Sequence, residues 1–349
     1  MAKFKRLLTV IMMVMAIALV LWGVTQILGA VRSDHPRASL IVGMNDPQWT
    51  NNGYEQVSWR QGLDRLYQHT HVSWIAIDVV LSQKGPHSLV IYPVSSIRAV
   101  NTAIHEAEHL GLHVLIRPLI VLPHYGPEQM ITFTTTTAAM NWFSHYWAVY
   151  SPFVHLGYQD HVGAISLGTE LSGLQKGHSA QWNHLIDKAY TSDPKTVLLI
   201  SLNWSDLQYA SWMHNPHLNV IGVDAYFPLS HSPDNLDEGQ IVHQWSVPKG
   251  PLTTLQNLHQ LVEKPLWITE IGYPNRANAL VHPWKVSGPL KTDGALQANA
   301  YAAALAVAFR HRYIDAVFFY AYGNGSYSPG HGAEEILDQF ERRQRRLKS

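Results

Sequence analysis

The chain has no cysteine, which excludes disulfides, thiolate-ligated zinc and thiol nucleophiles. It has no net charge. Its 25 lysines and arginines balance 25 aspartates and glutamates, so the basic surface that nucleic acid needs is missing and no nucleic-acid partner is expected. Charged residues make up only 14%, and no low-complexity or linker-like stretch divides the sequence after Ser39. Aromatics are plentiful instead: 12 tryptophans and 16 tyrosines either fill a core or stack on flat apolar faces such as sugar rings. Only the position of each ring separates the two uses.

The charge-free run from Leu7 to Val31 follows a flank containing Lys3, Lys5 and Arg6. Its most apolar part, to about Val24, exceeds the ~7–15 apolar residues of a cleaved signal peptide. It approaches the ~20 needed to span a bilayer. It is therefore read as an uncleaved anchor, with cleavage after Ala30 in "ILGA" as the alternative. The positive flank would stay cytoplasmic and the remainder would be exported. Residues 1–38 are thus a flank, an anchor or signal segment, and a short linker.

From Ser39 onward, short apolar and β-branched runs alternate with helix-compatible segments. The runs span 39–45, 73–81, 113–121, 163–170, 196–204, 220–227, 265–273 and 316–323. Eight such units predict a closed (β/α)8 barrel, an α/β TIM barrel over 39–340. The basic end "ERRQRRLKS", 341–349 in the main, is expected to be solvated or frayed. Several runs end in polar residues beside Gly or Pro: "GMNDP", "LGTELSG", "DAYFP" and "TEIGYP". In a barrel these ends form the face on which active sites are built.

The string "HEAEH" (105–109) matches His-Glu-x-x-His, the zinc-protease pattern. It falls near the end of a helix expected over 95–110, whose apolar stripe is Ile97, Val100, Ile104 and Ala107. His105 and His109 then point to solvent, at the barrel end away from catalysis, with no third ligand in sight. No metal site is assigned to Glu106 and its two histidines, and no cofactor is expected. A zinc metalloprotease remains the weakest rival reading.

Glu170 ends the fourth run and Glu270 the seventh. Both follow apolar strand residues, where an idle charge would be costly. In a barrel these ends face each other across the top. Two carboxylates on one cleft are what glycoside hydrolysis requires, one protonated to assist the leaving oxygen and one ionised.

The barrel pattern with these glutamates resembles the clan A glycoside hydrolases. The forms "GTEL", "GVDAYFP" and "ITEIGYP" resemble glycoside hydrolase family 113, known for endo-β-1,4-mannanases. The resemblance covers nearly all of 39–335. It implies a retaining mechanism with Glu170 as acid/base and Glu270 as nucleophile. It also implies that Tyr226 hydrogen-bonds the nucleophile and that the substrate is a polysaccharide or oligosaccharide, which the exported location read from the N-terminal run would make extracytoplasmic. Two positions depart from the clan pattern. Thr169 stands where Asn usually precedes the acid/base, and Tyr320 or Tyr322 stands where a Trp platform usually ends the eighth strand.

Other expected top-face residues are weaker. Trp49, Trp204, Trp245 and Trp284 suit stacking along a glycan, and Asn45, His124 and Asn203 suit hydroxyl binding. Asp224 shares the face of Tyr226 and points inward, as a structural partner. Trp142, Trp147, Trp182 and Trp212 fall in helical segments and are read as packing. The protein is expected to act as a monomer. A non-catalytic glycan-binding barrel is the main rival, but a binder has no need of Glu170, Glu270 and Tyr226 together.

Overall fold

Eight parallel strands close on themselves in the computed structural model, which describes residues 39–233, 235–286 and 291–348. They are β1 (Ile41–Asn45), β2 (Trp74–Gln83), β4 (His113–Val121), β5 (Ala164–Thr169), β6 (Val197–Asn203), β7 (Val220–Asp224), β8 (Leu266–Ile271) and β9 (Ile314–Phe319). Each pairs with the next, and β1 pairs with both β2 and β9, so no edge is left in the ring. The (β/α)8 barrel expected from the eight runs is the fold. One strand was not foreseen: β3 (Ile91–Pro93) folds back antiparallel on the end of β2. The expected anchor lies outside the described residues, and no described helix is long and apolar enough to cross a membrane.

The barrel interior is layered. Its lower end is plugged by Ala76, Leu115, Ala164, Leu199, Val220, Trp267, Ala316 and Phe318, with Trp74 packed against them. Trp74 meets Trp267 and Phe318 edge-on, at ring-centroid distances of 5.6 and 6.2 Å. Gly43 makes room for this plug, because a Cβ there would lie 2.4 Å from the Phe318 ring. Above the plug the register sets Asp78 beside Arg117 and Asp224 beside Glu270, so a polar layer crosses the barrel. Rings fill the lower end, which leaves the end where the strands finish as the ligand-facing end among the described residues.

Helices cover the outside of the ring. Ser96 caps Ile97–His109 through its hydroxyl, and Thr135 caps Thr136–Gln159 in the same way. The first of these carries the zinc-like string. Ala99, Val100, Ala103, Ile104 and Ala107 are its buried face, whereas Ile97 is exposed. His105 and His109 are exposed, and Glu106 pairs with Arg60 at 3.5 Å. The helix runs down to the plugged end, and no described cluster of three or more acidic or histidine side chains could hold a metal ion.

The frayed C-terminus requires correction. The last helix runs His331–Lys348, with Glu341 and Gln344 buried. Gln344 exchanges hydrogen bonds with the backbone of Leu40 at 2.5 and 3.0 Å, which ties this helix to the start of β1. A glutamine one turn into a basic run supplies the anchor that composition hides.

Candidate active site

A cleft of about 670 Å³ opens at the C-terminal ends of the strands. Glu170 and Glu270 both line it, together with Tyr226, Thr169, Asn203, Trp204, Trp49, Trp284 and Tyr320. Of the thirteen side chains read from the sequence as site residues, the structure brings these nine together.

Glu270 sits inside β8 and is almost buried. Two donors hold its carboxylate. Tyr226 donates its hydroxyl to Oε2 at 2.7 Å, and Arg117 donates through Nη2 to Oε1. Burial and the adjacent Glu270 raise the Tyr226 phenol well above its ordinary value, so it remains a donor. Arg117 is fully buried on β4. Its Nε lies 3.1 Å from Asp78, its Nη2 3.7 Å from Asp224, and its Nη1 donates to the Asn45 side chain at 2.9 Å. Burial opposes the charge on Arg117, but Glu270, Asp224 and Asp78 outweigh it and hold the guanidinium protonated. One cation cannot balance three carboxylates in such a place. Burial pushes Asp78 up to about 7 against the pull of Arg117, and burial with the charge of Glu270 raises Asp224 well above its usual range. Asp224 is the inward structural partner expected of it: it accepts from Thr269 at 2.8 Å.

Glu170 follows β5 in the left-handed backbone region, at φ 51°. That conformation is disfavoured for any residue with a Cβ, and functional sites are where such strain collects. Its N–H donates to the Ser201 carbonyl at 2.9 Å, and its carbonyl accepts from Ser172 at 2.9 Å. These bonds turn the side chain back over the cleft. Asn203 donates to Oε1 at 2.7 Å, and Gln129 donates to Oε2. Burial, then the negative charges of Asp224, Glu128 and Glu270, hold the Glu170 carboxyl well above the usual carboxylate range. The two glutamates of one cleft therefore have unlike environments: one is gripped by an arginine and a phenol, the other by two amides among acidic neighbours.

Four expected residues fall elsewhere. Trp245 lies in the helix Glu238–Ser246 and is fully buried against Phe227, so it packs and does not stack. Asn45 is buried below the cleft, donating to the Thr269 carbonyl at 3.1 Å while it orients Arg117. His124 is exposed in the turn after β4, outside the cleft lining. Tyr322 lies past the cleft, half-buried against the core, with Arg65 as a hydrogen-bond partner. Tyr320 alone takes the strand-end position: its ring meets Tyr226 edge-on, and its hydroxyl accepts from Asn324 at 3.0 Å. The packing tryptophans behave as read, with Trp142, Trp182 and Trp212 buried.

Sequence reasoning missed Arg117, Glu128, Gln129 and Tyr327. Arg117 had a signal: a single charge in the apolar run "HVLIRPLIV" must have a buried partner. The other three had none, because they come from loops whose course the sequence does not reveal.

Two differently held carboxylates on the open face of a (β/α)8 barrel are an arrangement that suits glycoside hydrolysis. The chain belongs to Glycoside Hydrolase Family 113, whose model matches residues 47–338. No curated protein matches it. Among solved structures it is similar to a GH113 β-1,4-mannanase, at 16% identity and TM-score 0.72, over 87% of this chain and 99% of that one. It is similar also to the GH113 β-mannanase of Alicyclobacillus acidocaldarius, at 19% identity and TM-score 0.73, over 88% and 98% of the two chains. The β-D-glucuronidase of Dictyoglomus thermophilum shares the fold more distantly, at 12% identity and TM-score 0.56, over 86% of this chain and 50% of that one.

Proposed function

We propose that this hydrolase is a retaining endo-β-1,4-mannanase in which Glu270 is the nucleophile and Glu170 the acid/base. The observation that carries the assignment is the asymmetry of donors. A carboxylate gripped by Arg117 and Tyr226 is stabilised as an anion and aimed. A carboxyl raised by burial and acidic neighbours keeps its proton to higher pH than a free one.

In the first step Glu270 attacks the anomeric carbon while Glu170 delivers its proton to the departing glycosidic oxygen. In the second step Glu170, now ionised, takes a proton from water, and that water displaces Glu270. Glu170 thus alternates between donor and acceptor, and its amide partners must suit both. Asn203 is fixed, because its Oδ1 accepts from the Ser205 N–H at 2.9 Å and from the Ser205 hydroxyl at 2.7 Å. Its Nδ2 therefore always faces Glu170. Gln129 has no such second tie among the described residues, so it can present its amide to the carboxylate or its carbonyl to the acid. Trp49, Trp204 and Trp284 supply stacking faces; Trp204 and Trp284 lie 5.1 Å apart between ring centroids.

The test is hydrolysis of a panel of β-linked polysaccharides, with Glu170→Gln as control. Release of internal β-1,4-mannan fragments supports the reading, and activity on other glycans but not on mannan overturns it. The charge-flanked apolar run of the first 31 residues supports a location outside the cytoplasm, with the barrel tethered or released there. Protease added to intact cells should then remove a tethered barrel while a cytoplasmic control survives.

A further inference from the structure

The cleft holds a third carboxylate to which the two-step reaction gives no task. Glu128 lines it in the tight turn Glu128–Met130, flanked by Pro127 and Gln129, which line it too. The turn is held from both sides. Met130 N–H donates to the Pro127 carbonyl at 3.1 Å and Ile131 N–H to that of Glu128 at 3.0 Å. Across from it stands Gly173, where a Cβ would lie 2.3 Å from the Ile131 carbonyl oxygen and 2.9 Å from that of Gln129. The missing side chain lets the helix after β5 press on the turn, and this fixes Glu128 and Gln129 relative to Glu170.

The charge on this wall is unbalanced. Among the described residues no lysine, arginine or histidine lines the cleft, and no ion pair serves Glu128. Arg117 lies beneath and is committed to Asp78, Asp224 and Glu270. Burial, and then Glu270, push the Glu128 carboxyl up to about 7 against the pull of Arg117, so it carries its charge above that pH. An acidic side chain held there serves a ligand rich in hydroxyl donors and repels one that carries carboxylates.

We propose that Glu128 is a specificity-determining residue that accepts hydrogen bonds from the hydroxyls of a neutral β-linked glycan and turns away glycans bearing uronic acids. This rests on the glycosidase reading above and goes further, to the charge class of the substrate. It also separates this chain from the glucuronidases that share its fold, because a uronate needs a cation and this cleft wall presents none.

The experiment measures binding by calorimetry, at about pH 8 where Glu128 is ionised, to the full chain carrying Glu170→Gln, so that nothing is cleaved. The probes are β-1,4-linked mannopentaose and the matching pentamer of mannuronate, which differ only at C6. The expected result is a preference of at least about tenfold for the neutral pentamer, as charge-assisted hydrogen bonds predict. Adding Glu128→Gln should weaken neutral binding about tenfold and narrow the preference. Equal binding of the two probes, or an unchanged preference after Glu128→Gln, overturns the proposal. If Glu128→Gln lowers the melting temperature, salt replaces it as the variable. Raising NaCl from ~0.05 to ~0.5 M should shrink the preference of the parent by screening, and an unchanged ratio overturns the proposal. Failure of the mannanase reading looks different: cellopentaose is then bound and mannopentaose is not, and the same comparison is made with cellopentaose and its uronate counterpart.

Discussion

Tyr226 donates its hydroxyl to Glu270 Oε2 at 2.7 Å, from just beyond the end of β7 to the adjacent strand β8. The bond is short, buried and charge-assisted, and it is one of two that fix the orientation of this carboxylate. Removing it should cost the loss of one hydrogen bond to a charged group, about 1.5–3 kcal/mol. Tyr226→Phe is therefore expected to lower kcat/KM roughly ten- to hundredfold while leaving the fold intact. Steady-state kinetics beside a thermal melt check this, and full activity would show that Arg117 alone orients Glu270.

The two glutamates should fail in different ways. Glu270→Ala is expected to abolish turnover of every substrate, and azide should restore it with inverted product. Glu170→Ala should retain more activity on nitrophenyl glycosides, whose leaving group needs no proton. Azide should rescue its second step and give a β-glycosyl azide. NMR of the first-formed anomer decides the stereochemistry: an initial α-anomer from a β-linked substrate rules out retention.

With Glu170 as the proposed acid, the pH dependence of activity follows from its carboxyl. Its pKa is raised, so the acid form persists to higher pH than in a free carboxyl, and activity falls only as pH rises through that raised value. The alkaline limb of kcat/KM on mannan should therefore lie well above the ordinary glutamate range. For the glycosylation step of a nitrophenyl glycoside this limb should flatten, since no proton is required. A limb at the same pH for both substrates would assign it to another group.

Among the described residues Arg117 is the one fully buried guanidinium, shared by Asp78, Asp224 and Glu270. Arg117→Met leaves these acids without their cation and should destabilise the fold by about 3–5 kcal/mol, seen as a lower urea midpoint. Arg117→Lys keeps the charge but not the fork, so it should fold better than the Met variant and still be impaired in turnover. A Met variant as stable as the parent would show that the acids below the cleft are neutral without help.

The sequence alone determined the barrel and picked out the two carboxylates on which the proposed mechanism rests. Eight apolar runs at βα spacing leave one economical closure, and strands buried on both faces are continuous enough to be seen one at a time. Glu170 and Glu270 stood out because a carboxylate at the end of such a run must have a purpose. "HEAEH" could be set aside because helical periodicity placed its histidines outward. Tertiary structure decided what surrounds that pair. Trp245 and Trp284 look alike in the sequence, yet one is buried in a helix and the other is open to the cleft, since loop paths determine which rings meet solvent. Asn45 ends its strand as Asn203 does, but β1 delivers its amide to Arg117 below the cleft and β6 delivers its amide to Glu170. Glu128 and Gln129 reach the site from a turn that no periodicity marks. The side-chain contacts around Glu170 and Arg117 join residues separated by 33 to 153 positions, and only closure of the ring makes them neighbours.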